Sequence, residues 1–168
     1  HVEELATRLV KAGHEVFVYT RPNYTKPNLK KYKGVNLISL PGIATKHLDA
    51  ITNTFSACLD VARRDADIIH FHSIGPSSLI WLVKLLKPGV PIIATLHSKC
   101  YLHKKWGFIA RIYLKLGEAI LCYFSDKIIT ISRLLTKYVK EKYNASSCYI
   151  PNGAGQFKNL LPKKIKKW

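Results

Sequence analysis

The feature that most constrains this chain is the regular alternation of short apolar, β-branched runs with amphipathic stretches. Val2, Leu5, Ala6, Leu9 and Val10 recur at helical spacing, which predicts a helix over 1–12 that Gly13 stops. GHEVFVYT then supplies a strand ending at Thr20. RPNYTKPNLKKYKG reads as a basic loop with two prolines, and Val35–Leu40 as a second strand closed by Pro41 and Gly42. Lys46–Arg64 is amphipathic, Asp67–His72 is a third strand, and Pro76–Leu86 is a helix with proline in its first turn. Pro91–His97 is the fourth strand, a long helix follows from about Lys104, and Lys127–Ser132 is the fifth strand. A helix over Arg133–Tyr143 and a last strand over Cys148–Ile150 complete the pattern. The strands are continuous apolar runs, not half-polar alternators. They therefore predict an α/β fold with a parallel sheet covered by helices on both faces.

Of the 168 residues, 48% are hydrophobic and 22% charged, a balance that excludes a disordered chain. There is no methionine at all, and a fragment whose start lies upstream is the expectation. Cys58, Cys100, Cys122 and Cys148 form no C-x-x-C pair and no finger pattern, so they read as free thiols. Phe108–Phe124 is the most apolar long stretch, but Arg111, Lys115 and Glu118 interrupt it, which argues against a membrane span. With Lys104 these charges fall on one helical stripe; Ile109, Ile112, Leu116 and Tyr123 cover much of the rest. The expectation is a packed or surface-lying helix.

Ligands of an open parallel sheet bind at the carboxyl ends of its strands. Here those ends carry Thr20 and Arg21, His72 and Ser73, His97 and Ser98, Ser132 and Arg133, then Asn152 and Gly153. Strands that merely end in polar residues are the alternative. His70 and His72 face one side of their strand, but a metal site would need a third ligand and a carboxylate, and the sequence places neither nearby; His70 reads as packed and His72 as the residue at the tip. Asp65 and Asp67 precede their strand and so belong to the amino end, away from the crevice. Phosphate-loop, nucleophile-elbow and plain dinucleotide motifs are absent.

Charge is unevenly spread. The net balance is 27 − 10 = +17, and the fifty residues between Asp67 and Glu118 hold seven Lys or Arg and no acid. A basic surface with interleaved Tyr24, Tyr32, Tyr101 and Trp106 suits anionic headgroups, nucleic acid or simple solvation. No nucleic-acid-binding motif accompanies it, so nucleic acid is the weakest of the three.

HVEELATRLVKAGHEVFVYTRP, TKHLDAITNTF, DIIHFHSIGPS, TLHSK…KKWG and ITISR…YIPNG, taken together and in order, resemble the N-terminal domain of family 4 glycosyltransferases. The resemblance is strongest to the envelope-polysaccharide, rhamnosyltransferase-like subset. It implies half of a GT-B enzyme: a Rossmann-like domain over residues 1–153, here lacking the family's first strand, then a linker and the start of a nucleotide-sugar domain over 154–168. It further implies sugar transfer with retention and no required metal or other cofactor. The donor would be a nucleotide-sugar and the acceptor a lipid-linked or glycan molecule, at the inner face of a cell membrane. The family's second domain, with its E-x7-E element, is not in this sequence, so the chain alone is expected to be inactive.

Position by position, the resemblance makes His97 the catalytic residue, contacting the donor sugar. It puts Ser132, Asn152 and Gly153 on the donor side of the cleft. Arg21, Tyr24, Thr45, Lys46, His47, His72, Lys105 and Trp106 would line the acceptor side. One departure stands out: relatives carry an acid where this chain has Cys100. A non-catalytic half-domain that binds membranes or polyanions is the alternative function.

Overall fold

The computed structural model describes residues 1–22, 25, 29–43, 45 and 48–153. Helix α1 (Val2–Lys11) carries Glu3 and Glu4 in its first turn and Arg8 and Lys11 in its last, the order the helix dipole favours. Strand β1 (Phe17–Thr20) pairs in parallel with β3 (Val35–Ser39), and β2 (Lys31–Tyr32) folds back antiparallel on β3. Strand β2 lies in the stretch read as a basic loop. Its hairpin turns through Lys33 and Gly34, both at positive φ (48° and 85°), the backbone of a tight two-residue turn. Lys-Gly signals that turn less strongly than Asn-Gly, so the local sequence does not mark the hairpin.

Helix α2 (Asp49–Val61) leads to strand β4 (Ile69–His72), helices α3 (Ile74–Ser77) and α4 (Ile80–Leu86), and strand β5 (Ile92–Leu96). Helix α5 (Phe108–Phe124), strand β6 (Lys127–Thr130), helix α6 (Arg133–Tyr143) and strand β7 (Cys148–Tyr149) follow. Strands β4, β5, β6 and β7 form a sheet in that order, every pair parallel. Ile92, Ala94 and Leu96 of β5 are fully buried, with Ile74, Ile80, Val83, Leu121 and Val139 packed around them. The expected α/β architecture, a Rossmann-like parallel sheet flanked by helices, is present.

Several boundaries differ from expectation. The single sheet is divided in two: β1-β3-β2 is a separate hydrogen-bonded sheet, and no described strand bridges the unpaired edges of β1 and β4. Helix α2 is bonded to the smaller sheet and its following segments. Tyr19 Oη donates to Asp60 (2.8 Å), Arg21 pairs with Asp49 (2.9 Å), and Asn53 Nδ2 donates to the Leu40 carbonyl (2.8 Å). The helix expected from Pro76 starts at Ile74 and is broken into α3 and α4, with the Ser77 and Ser78 hydroxyls bonding the Ser73 and Gly75 carbonyls at 2.7 Å each. Such back-bonds compete with the regular helix ladder. The helix expected from Lys104 begins at Phe108, after one 3-10 turn over Cys100–Leu102 and Gly107.

The charged stripe of α5 is also corrected. Glu118 is fully buried, while Phe108 (79% exposed), Ile109 (82%), Ile112 and Leu116 face outward. The helix turns part of its apolar surface to solvent because Gly117 allows α3 to approach on the opposite side.

Candidate functional site

Parallel pairing fixes which strand ends meet. His72 lies opposite Thr95, the Ser73 amide donates to the Thr95 carbonyl (3.0 Å), and Leu96 lies opposite Thr130. The carboxyl ends of β4, β5 and β6 therefore form one exit edge, with His72, His97 and Ser132 at neighbouring tips. His72 Nδ1 sits 3.3 Å from His97 Nε2, and their rings stack with centroids 5.6 Å apart. His97, which has no sequence-local partner, is thus paired across the strands.

A third imidazole joins them. His1 heads α1, its ring edge-on to His97 (4.9 Å) and to His72 (5.8 Å). One nitrogen from each of His1, His72 and His97 lies within 4.8 Å of the others. His1 is far from both strand histidines in sequence. The missed signal was topological: in parallel α/β units helix N-termini lie at the edge where strands exit, so a histidine opening α1 belongs with those at the tips. His70 lies deeper, bonded through Nε2 to Thr95 Oγ1 (2.7 Å), with its ring 4.1 Å from that of His72.

Burial holds the His70, His72 and His97 rings neutral. Desolvation, helped by His97, lowers the His70 pKa to about 4. Desolvation first, then the neighbouring imidazoles, lowers that of His72 to about 3. His97 is shifted down as well, again chiefly by burial. At neutral pH the edge presents uncharged imidazoles that can accept or donate hydrogen bonds to hydroxyl groups.

The backbone at this edge is under strain. Ser73 adopts φ 72°, ψ 160°, a region almost confined to glycine. The conformation lets α3 begin directly after β4, and the Ser73 carbonyl accepts from the Ser77 amide (3.3 Å) and hydroxyl (2.7 Å).

The segment after His97 is anchored from beneath. Tyr101 Oη bonds Tyr138 Oη (2.9 Å) and reaches Glu118 Oε1 (3.4 Å). Tyr138 (2.7 Å), Tyr143 (2.6 Å) and Lys142 (3.0 Å) donate to the same oxygen. This buried carboxylate pins the 98–102 turn to α5 and α6. Glu118 belongs to the charged stripe that periodicity predicts, yet it lies fully buried among these hydroxyls.

The other predicted residues are distributed as follows. Ser132 caps α6, its Oγ accepting from the Leu135 amide (3.2 Å), which leaves the hydroxyl proton able to donate. Arg21 is held by Asp49, and Thr45 Oγ1 accepts from the Leu48 amide (3.2 Å) before α2. Both therefore shape the start of α2. Lys105 Nζ lies over the Trp106 ring (4.9 Å), and Trp106 is half-buried against the core. Asn152 and Gly153 are exposed beyond β7. Tyr24, Lys46, His47 and the 154–168 segment lie outside the described residues.

The chain is thus a Rossmann-like α/β domain with neutral imidazoles at the strand-exit edge of its parallel sheet. Residues 1–154 match Glycosyltransferase Family 4, and the chain belongs to that family. It is also similar to an alpha-monoglucosyldiacylglycerol synthase of Streptococcus pneumoniae, 30% identical over 101 residues. The matched stretch is 58% of this chain and 22% of that protein.

Proposed function

We propose that this domain forms the acceptor-side half of an enzyme that moves a hexosyl or rhamnosyl unit from a nucleotide-sugar to a lipid-linked or glycan acceptor, with retention and without a required metal. The reaction takes place at the cytoplasmic surface of the cell membrane, where the protein sits peripherally. The carrying observation is the first half of α5. Leu102, Phe108, Ile109 and Ile112 are 52–82% exposed, and Lys104, Lys105 and Arg111 accompany them. Because α5 follows β5, this apolar and basic face begins at the same edge as His72 and His97. A helix so built lies in a lipid interface, apolar side chains in the acyl boundary and cations among anionic headgroups. Among the described residues no helix is long and apolar enough to cross a membrane. The glycolipid named for the pneumococcal relative agrees with an acceptor held in lipid.

In this reading the His97 imidazole bonds a hydroxyl of the transferring sugar, and its backbone carbonyl faces the positive charge developing at the anomeric carbon. His72 orients the His97 ring from the acceptor side. Glu118, through Tyr101, holds the following turn in place. Ser132, Asn152 and Gly153 border the donor side, and Arg21, Thr45, Lys105 and Trp106 the acceptor side, the side to which the family resemblance also assigns Tyr24, Lys46 and His47. Donor binding resides mainly in a second domain, so the 168-residue chain alone turns over no substrate.

The test is transfer to a vesicle-borne acceptor by a protein carrying both halves. His97→Ala lowers turnover by about 10²-fold or more, the scale of losing one transition-state contact. Unchanged turnover removes His97 from the mechanism.

A further inference from the structure

We propose that His1, His72 and His97 form a binding site for a divalent transition-metal ion such as Zn²⁺, with the fourth coordination position open to the cleft. Three observations converge. One ring nitrogen from each histidine lies within 4.8 Å of the other two. One pair, His72 Nδ1 and His97 Nε2, is separated by 3.3 Å. Two ligands of a tetrahedral ion with Zn–N bonds of ~2.0–2.1 Å are ~3.3–3.4 Å apart, so that pair already has the spacing of two ligands. His72 and His97 also extend from adjacent hydrogen-bonded strands, and His1 opens a helix, so regular elements supply the set.

The donor chemistry selects the ion. The described cluster contains imidazoles and no carboxylate. Nitrogen ligands favour Zn²⁺, Co²⁺, Ni²⁺ or Cu²⁺, whereas Mg²⁺ and Ca²⁺ require oxygen. His1 is exposed and the other two are half-buried, which leaves a solvent side for water as the fourth ligand. A bound ion occupies the ring nitrogen of His97. Metal and sugar hydroxyl then exclude each other, a consequence that rests on the role given to His97 above; the binding itself does not.

Co²⁺ is the probe, titrated into the untagged chain with one residue ahead of His1, so that no α-amino group adds to the set. One equivalent gives the intense visible ligand-field bands of a tetrahedral site; Zn²⁺ abolishes them and excess Mg²⁺ does not. His72→Ala, His97→Ala and the fold-sparing, exposed His1→Ala each lose the bands, while His14→Ala and His103→Ala retain them. Absence of bands in the unsubstituted chain, or their survival in His1→Ala or in a His97→Ala chain with unchanged far-UV circular dichroism, overturns the site. Failed Co²⁺ binding with His97-dependent transfer intact would remove the metal site and leave the transferase reading standing.

Discussion

Ser73 shows how one residue positions the edge that carries the histidines. Its φ of 72° and ψ of 160° cost on the order of 1–3 kcal/mol in a non-glycine residue. Glycine relieves that strain and gives back ~0.5–1 kcal/mol through a freer unfolded chain. Ser73→Gly therefore stabilises the chain by about 1 kcal/mol in urea denaturation; a loss of stability would show that the hydroxyl matters more than the backbone. The cysteines offer a second residue-scale check. Burial pushes the Cys58 and Cys122 thiols up to about 12, whereas Cys148 is exposed. Raising a thiol pKa removes the reactive thiolate at neutral pH. Native chain at pH 8 should release its Cys148 signal to a disulfide reagent promptly, with Cys58 and Cys122 reacting only on unfolding. Prompt reaction of either buried thiol would contradict the packing around α2 and α5. Strand-tip polarity brought His72 and His97 into view from sequence. His1 and the strained Ser73 did not announce themselves, because a ring at a helix start and a left-handed serine leave no local pattern.

Helix α5 joins core packing to surface chemistry. A Cβ on Gly117 would overlap the Ile74 carbonyl oxygen, a backbone atom that cannot swing aside. Gly117→Ala therefore costs about 1–3 kcal/mol by forcing α5 away from α3, read as a lower denaturation midpoint at unchanged m-value. An unchanged midpoint would mean the two helices are less closely docked. The same contact explains why periodicity misread this helix. The charges fall on one stripe, but close approach at Gly117 turns Glu118 inward to Tyr101, Tyr138, Tyr143 and Lys142. Tertiary packing overrode the local pattern. In β5, by contrast, an unbroken run from Ile92 to Leu96 has a single reading, and that strand is buried where the sequence placed it.

At the scale of the whole molecule, the alternation of elements was legible because each strand is short, apolar and bounded by turn residues. The division into two sheets was not, since hydrogen bonds between distant strands have no signature in either segment. The parallel strands β4, β5 and β6 share one exit edge. It brings the imidazoles of β4 and β5 beside the start of α5, whose exposed Phe108 and Ile109 have cations next to them. The central claim is that this face lies on an anionic lipid surface. Co-sedimentation of the 168-residue chain with vesicles of mixed anionic and neutral lipid tests it directly, with purely neutral vesicles and the variant Phe108→Glu/Ile109→Glu alongside. The account predicts binding to the anionic vesicles that is weaker on neutral ones and falls at least about tenfold in the variant, since withdrawing two apolar side chains from an interface removes more than ~1.4 kcal/mol. Equal binding to both vesicle types, or a variant that sediments like the unsubstituted chain, would contradict it.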